Sequence, residues 1–232
     1  MDSATRLQYL QAMGIDVWVP RHQPVASGNL TEAIPDSSLV ANQTFGQQKD
    51  TAWQDLQHEV AACHHCSLCE TRTQTVFGVG SHHAGWMLIG EAPGQDEDLQ
   101  GEPFVGKAGQ LLTEMLRAIG MQRQDVYIAN MLKCRPPRNR DPEAAEVAAC
   151  NGFLQKQIEL LQPKLIVAVG RIAAQNLLNT QQSLTKLRGI RHQFCSTPLV
   201  VVHHPAYLLR SPLEKAKAWE DLQFAVSVFN TL

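Results

Sequence analysis

Three loop-like stretches and a set of cysteines hold the residue types in this chain that do chemistry. The first runs Gly90-Glu91-Ala92-Pro93-Gly94-Gln95-Asp96-Glu97-Asp98 and continues as Gly101-Glu102-Pro103-Phe104-Val105-Gly106-Lys107-Ala108-Gly109. Its five glycines let backbone approach a ligand closely, and its five carboxylates offer water activation or a cation site; a solvated acidic turn reads the same way. The second is Asn130-Met131-Leu132-Lys133-Cys134-Arg135-Pro136-Pro137-Arg138-Asn139-Arg140. Its Asn amide presents an acceptor and a donor together, which suits a ligand edge with both complementary groups, although Asn is also an ordinary turn former. Lys133, Arg135, Arg138 and Arg140, stiffened by two prolines, have the charge to hold phosphates or simply to face water. The third is His203-His204-Pro205-Ala206-Tyr207-Leu208-Leu209-Arg210-Ser211-Pro212. An imidazole there can donate to an oxygen gaining negative charge, and Tyr207, Leu208 and Arg210 put apolar bulk beside a cation, as in a loop that wedges DNA.

The six cysteines stand as Cys63-x2-Cys66-x2-Cys69, then Cys134, Cys150 and Cys195. A close pair with two distant partners points to a four-thiolate site, and either an iron–sulfur cluster or a structural zinc fits that count. Cys69 and Cys195 read as ordinary buried thiols.

These residues need a scaffold to bring them together. Short apolar runs at 86 to 89, 126 to 129, 165 to 169 and 199 to 202 read as strands and alternate with helical patterns at 108 to 119, 142 to 161 and 171 to 178. That alternation predicts an α/β fold, three layers α/β/α with a central, mainly parallel four-stranded sheet. Asp141 with Pro142 marks the start of the second helix, and Ser211-Pro212-Leu213-Glu214 reads as a capping box opening the last. In such a sheet ligands bind beyond the carboxyl ends of the strands, so chemistry belongs in the loops after 89, 129, 169 and 202. Three of those four are the stretches described above.

The chain has 232 residues, with 20 Lys or Arg against 22 Asp or Glu and 44% hydrophobic residues, which excludes a basic tail protein and wholesale disorder. Nothing reaches the apolar length of a membrane span, and the start, MDSATRLQYL, has no export signal, so a cytoplasmic protein with no membrane partner is expected. Residues 1 to 60 hold three basic and seven acidic side chains, the remainder seventeen and fifteen. Residues 1–20 contain one short amphipathic element, Leu7, Leu10 and Met13 being three apart; 21–50 read as a flexible linker, and 51–232 as the folded domain.

Taken together, GEAPGQDEDLQGEPFVGKAGQLL, NMLKCRPPRNRDP and HHPAYLLRSP, in that order with the cysteines interleaved, resemble the family 4 uracil-DNA glycosylases over about residues 60 to 229. The resemblance implies hydrolysis of the N-glycosidic bond of deoxyuridine in DNA, the first step of base excision repair, and a [4Fe–4S] cluster on Cys63, Cys66, Cys134 and Cys150. It maps the uracil pocket onto Gly90, Glu91, Phe104, Asn130 and His204. Phe104 would stack on the extruded base and Asn130 pair with its Watson-Crick edge. His204 would stabilise negative charge on uracil O2, and Glu91, or failing it Glu97, would activate water. Lys133, Arg135, Arg138, Arg140, Tyr207, Leu208 and Arg210 would face DNA.

Departures from related branches matter too. Ala92 and Gly94 stand where family 1 enzymes have a catalytic Asp and a Tyr that blocks the thymine methyl, so Glu97 is assigned the methyl-excluding place. KCRPPRNRDP lacks the His with which a related branch bonds covalently to its product, so turnover is expected. The cluster is expected to act structurally, as a staple between the Cys63 segment and the Cys134–Cys150 loop. A weaker resemblance links RLQYLQAMGIDVWVPR to the peptide by which the psi subunit of DNA polymerase III docks on the chi subunit, which makes chi an expected partner of residues 1–20 of an otherwise monomeric protein. A catalytically silent iron–sulfur or zinc DNA-binding module, or a zinc adaptor, remain the competing readings.

Overall fold

The computed structural model describes residues 37–232, with side chains from residue 49 onward. The amphipathic element of residues 1–20 therefore lies outside the described residues, as does most of the expected linker. The helix that precedes the cysteines, α1 (Ser37–Ala61), begins within the stretch read as linker, because no proline interrupts the chain between Pro35 and the domain. Trp53, Leu56 and Val60, three and four residues apart, are its buried stripe.

Four parallel strands form the centre of the sheet: β2 (Trp86–Gly90), β3 (Tyr127–Asn130), β4 (Leu165–Val169) and β6 (Thr197–Val202). Two short antiparallel strands, β1 (Val79–Gly80) and β5 (His192–Phe194), close the edges, giving the order β1-β3-β2-β4-β6-β5. The parallel register aligns Gly90 with Asn130, and Val169 with Val202, so the strand ends come level along one edge.

Strand periodicity divides the core in two. Met87, Ile89, Ile166 and Ala168 face one layer with α1, α4 (Ala144–Leu161) and α5 (Arg171–Leu177). Trp86, Leu88, Val167 and Val200 face the other, with α3 (Lys107–Ala118) and α8 (Lys215–Phe229). Between these lie α2 (Gln95–Gln100), α6 (Leu184–Leu187) and α7 (Pro205–Arg210), each one or two turns long.

Two expected helix starts are displaced. Helix α4 is capped at Glu143, not Asp141, because the Glu146 carboxylate accepts the Glu143 N–H at 2.8 Å and closes a capping box there. Ser211-Pro212-Leu213-Glu214 makes a 3-10 turn, Pro212–Glu214, without a side-chain cap, and α8 follows from Lys215. No described helix is long and apolar enough to cross a membrane.

Candidate active site

All four parallel strand ends line one cleft of about 880 Å³, as their topology requires. At its floor Gly90, Phe104, Asn130 and His204 converge. Asn130 is 2% exposed, and its Oδ1 is buried with no hydrogen-bond partner. Gly90 makes this convergence sterically feasible, since a Cβ there would lie 2.3 Å from Asn130 Oδ1 and 2.7 Å from Phe104 Cζ.

Phe104 is held in the left-handed backbone region, at φ 55°, a conformation that a bulky residue adopts only when its surroundings impose it. The Arg123 guanidinium supplies that constraint by donating to the Pro103 carbonyl at 2.8 Å and the Phe104 carbonyl at 3.1 Å. The phenyl ring lies 5.7 Å from the His204 imidazole, tilted by 34°.

His204 caps α7, its Nδ1 accepting the Ala206 N–H at 3.1 Å. Burial, helped by the Arg210 charge, pushes its pKa down to about 4. With Nδ1 an acceptor, the neutral ring carries its proton on Nε2 and is a donor there. Gly170, at φ 95° on the end of β4, leaves room for this ring; a Cβ would come within 2.8 Å of the His204 Cβ.

Two carboxylates from the first loop share the cleft but differ in surroundings. Burial raises the Glu91 pKa to about 7, with repulsion from Asp141 adding to the shift and Arg171 opposing it. Both oxygens of Glu97 are engaged by backbone: Oε2 accepts from Gly94 at 3.1 Å, and Oε1 from Val105 and Gly106 at 3.0 Å. Glu97 thus lies over Gly94 and braces the loop that presents Phe104. Asp141, Gly170 and Arg171 also line the cleft and were missed. Their signal was positional: Gly170-Arg171 is the fourth strand-end loop.

Two residues expected at the DNA are instead buried. Lys133 is 1% exposed, its Nζ donating to the Asn130 carbonyl at 2.8 Å and to Gln157 Oε1 at 2.6 Å. Its chain segment packs against α4, so the side chain runs inward. Leu208 is 1% exposed against Met115, Ala218 and Leu222, because helix α7 turns it towards the core and turns Leu209, 44% exposed, outward. Tyr207 and Arg210 line the cleft, and Tyr207 stacks on His203 at 5.7 Å. Arg138 is exposed; Arg135 Nε donates to Asn139 Oδ1 at 2.7 Å, and Arg140 pairs with Glu146 at 2.6 Å.

Cys63, Cys66, Cys134 and Cys150 line a separate small cavity; Cys69, expected to be an ordinary buried thiol, is half-buried and lines it too, and all are free thiols. Among the described residues no three His, Cys, Asp or Glu side chains close on one point as a single ion would require. Arg72 Nη1 donates to Cys134 Sγ at 3.0 Å, and the Lys133 backbone N–H faces the Cys150 sulfur. Cys195, expected to be buried, is exposed at φ 52°, in the turn between β5 and β6.

A family profile described as the uracil DNA glycosylase superfamily matches residues 77–223. The chain is 45% identical over 166 residues to a type-4 uracil-DNA glycosylase of Archaeoglobus fulgidus, covering 68% of this chain and 83% of that protein. It is 42% identical over 176 residues to the type-4 uracil-DNA glycosylase of Thermotoga maritima, covering 74% and 92%. A type-5 uracil-DNA glycosylase of Pyrobaculum aerophilum is 33% identical over 94 residues, 40% of each chain.

Proposed function

Because this chain belongs to the uracil DNA glycosylase superfamily, and within it to the type-4 uracil-DNA glycosylases, we infer that it removes uracil from DNA by hydrolysing the bond between uracil N1 and the deoxyribose C1′. The observation that carries the residue assignments is the orphaned Asn130 Oδ1 on the cleft floor. A buried acceptor without a donor is costly, and the N3–H of an extruded uracil supplies that donor. Cytosine has a bare nitrogen in the same place and leaves the acceptor unpaired, which disfavours it.

Phe104 offers its ring face to the base. As the N1–C1′ bond lengthens, its electron pair moves onto the uracil ring and charge builds on O2, where His204 Nε2–H donates. A neutral imidazole suits this role, since it stabilises the anion without protonating it. Water adds to the electron-poor C1′ and loses its proton to Glu91, while uracil leaves as its N1 anion and takes up a proton from solvent. Glu91 suits general-base work because its pKa of about 7 lies near working pH. Glu97, already bonded to three backbone N–H groups, acts as a positioning residue.

The thiols of Cys63, Cys66, Cys134 and Cys150 would hold a [4Fe–4S] cluster. These four free thiols line one cavity together with Cys69, and with Arg72 and backbone N–H groups facing sulfur they form a donor set that suits a polynuclear cluster. When bound, such a cluster supplies cross-links among the Cys63–Cys66 segment, the loop at Cys134 and helix α4. A brown, iron-containing protein supports it, and stoichiometric zinc in its place retires it.

Release of uracil and alkali-labile breaks in a uracil-containing oligonucleotide test the activity. Loss of both in Asn130→Ala and His204→Ala is expected. Docking of residues 1–20 on chi is a separate proposal, which a pull-down with that peptide tests.

A further inference from the structure

Lys133 carries a fully buried amine that the reaction does not use. Its position in the chain is unusual: the residue after it is Cys134, its own backbone N–H faces the Cys150 sulfur, and its carbonyl accepts the Val76 N–H at 2.8 Å. The residue lines the cysteine cavity, and its side chain reaches to the carbonyl of Asn130 and to Gln157. Gln157 is fully buried and donates in turn to the Phe77 carbonyl at 2.9 Å and Tyr127 Oη at 3.2 Å, so the Nζ end is gripped by a satisfied polar network. One residue therefore touches both the thiol cavity and the backbone of the Asn whose amide points into the cleft.

We propose that Lys133 is a positioning residue that couples the cysteine cluster to the base pocket, fixing the Asn130 backbone through its Nζ while its own backbone is fixed by Cys134, the next residue, and by the Cys150 sulfur at its N–H. The inference rests on the assignment of Asn130 to uracil and of the cysteines to a cluster. The coupling is mechanical. With the cluster bound, the Cys134 and Cys150 segments are tied together, the Lys133 backbone is held, and the Asn130 carbonyl is pinned from below. The amide on the same residue then meets the base in one orientation. Without that pin, Asn130 samples orientations in which Oδ1 misses N3–H, and affinity for the base falls although every pocket side chain is present.

The test uses the full-length holoprotein and free uracil, with affinity read by calorimetry. Lys133→Met keeps length and apolar packing but removes the donor. With iron content, visible absorption and far-UV dichroism like wild type, its dissociation constant for uracil should rise about tenfold, the scale of one buried hydrogen bond. Its affinity for DNA bearing an abasic site should stay within about twofold of wild type, since no phosphate contact is touched. In wild type, stripping iron with a chelator should weaken uracil binding by a similar factor, whereas in Lys133→Met it should change little. Uracil affinity of Lys133→Met within about twofold of wild type, or wild-type apoprotein that binds uracil as tightly as holoprotein, overturns the coupling. If Lys133→Met does not fold, the wild-type comparison decides alone. Failure of the underlying assignments shows elsewhere: Asn130→Ala that still binds uracil, or wild type purified without iron.

Discussion

The Oδ1 atom of Asn130 lies 2.3 Å from the place a Cβ would take on Gly90. The two residues are paired across β2 and β3 at the last position of the parallel register, so neither backbone can retreat without breaking the sheet. Gly90→Ala should therefore displace the Asn130 amide and the Phe104 ring together. The expected result is loss of uracil binding and a fall in kcat/KM of about a hundredfold or more, as a misplacement near one ångström produces. Thermal unfolding should register the clash as a loss of about 1–3 kcal/mol.

The pH profile should separate Glu91 from His204. Burial drives their pKa values in opposite directions, Glu91 up to about 7 and His204 down to about 4. His204 thus stays neutral throughout the neutral range, whereas Glu91 becomes a carboxylate only above about neutrality. Below that point kcat/KM should rise about tenfold per pH unit and then level, and Glu91→Gln should abolish the rise and lower the plateau by about a hundredfold or more. Stability should move the other way. The folded pKa of Glu91 exceeds its unfolded value, so its protonated form favours folding at acid pH, and that contribution is lost as pH rises through about 7. Relative to wild type, Glu91→Gln should gain denaturant resistance above neutrality and none at about pH 4.

Legibility from sequence followed burial. The four central strands are covered on both faces and read as unbroken apolar runs, which is why they stood out. The edge strands, two and three residues long and of mixed polarity, carry no such pattern. Gly90, Phe104, Asn130 and His204 were singled out by the family resemblance, and they meet because each ends a parallel strand or lies in the loop that follows one. What composition cannot encode is direction. Lys133 and Leu208 occupy stretches that look made for DNA, yet a turn of backbone aims one at Gln157 and the other at Met115. Arg171 went unnoticed because its loop is only two residues of unremarkable type, and its part emerges only when its charge is found beside Glu91.

Among the basic residues of the second loop, exposure sets the expected contribution to DNA binding. Arg138 is exposed, whereas Arg140 is engaged by Glu146 and Glu143. Arg138→Ala should weaken binding and reduce the slope of log affinity against log salt by about 0.9 for duplex DNA, one released counterion's worth. Arg140→Ala should reduce the slope by less and also loosen the start of α4, where Glu146 would lose its partner. Lys133→Met should leave the slope unchanged. Binding isotherms at several salt concentrations measure all three.

Leu208 and Leu209 are neighbours in sequence with opposite surroundings, which makes them a matched pair for finding the wedge. Leu208 fills a cluster with Met115, Ala218 and Leu222, so Leu208→Ala should cost about 2–5 kcal/mol of stability and should impair activity only through unfolding. Leu209 is 44% exposed in the short helix whose Tyr207 and Arg210 line the cleft, which makes it the candidate to fill the gap that an extruded nucleotide leaves in the stack. Leu209→Ala should leave the unfolding midpoint unchanged and slow excision from duplex DNA about tenfold, with a much smaller effect on single strands, in which no paired neighbour has to be held apart. Equal slowing on both substrates would place the wedge elsewhere, with Tyr207 as the remaining exposed ring of that helix.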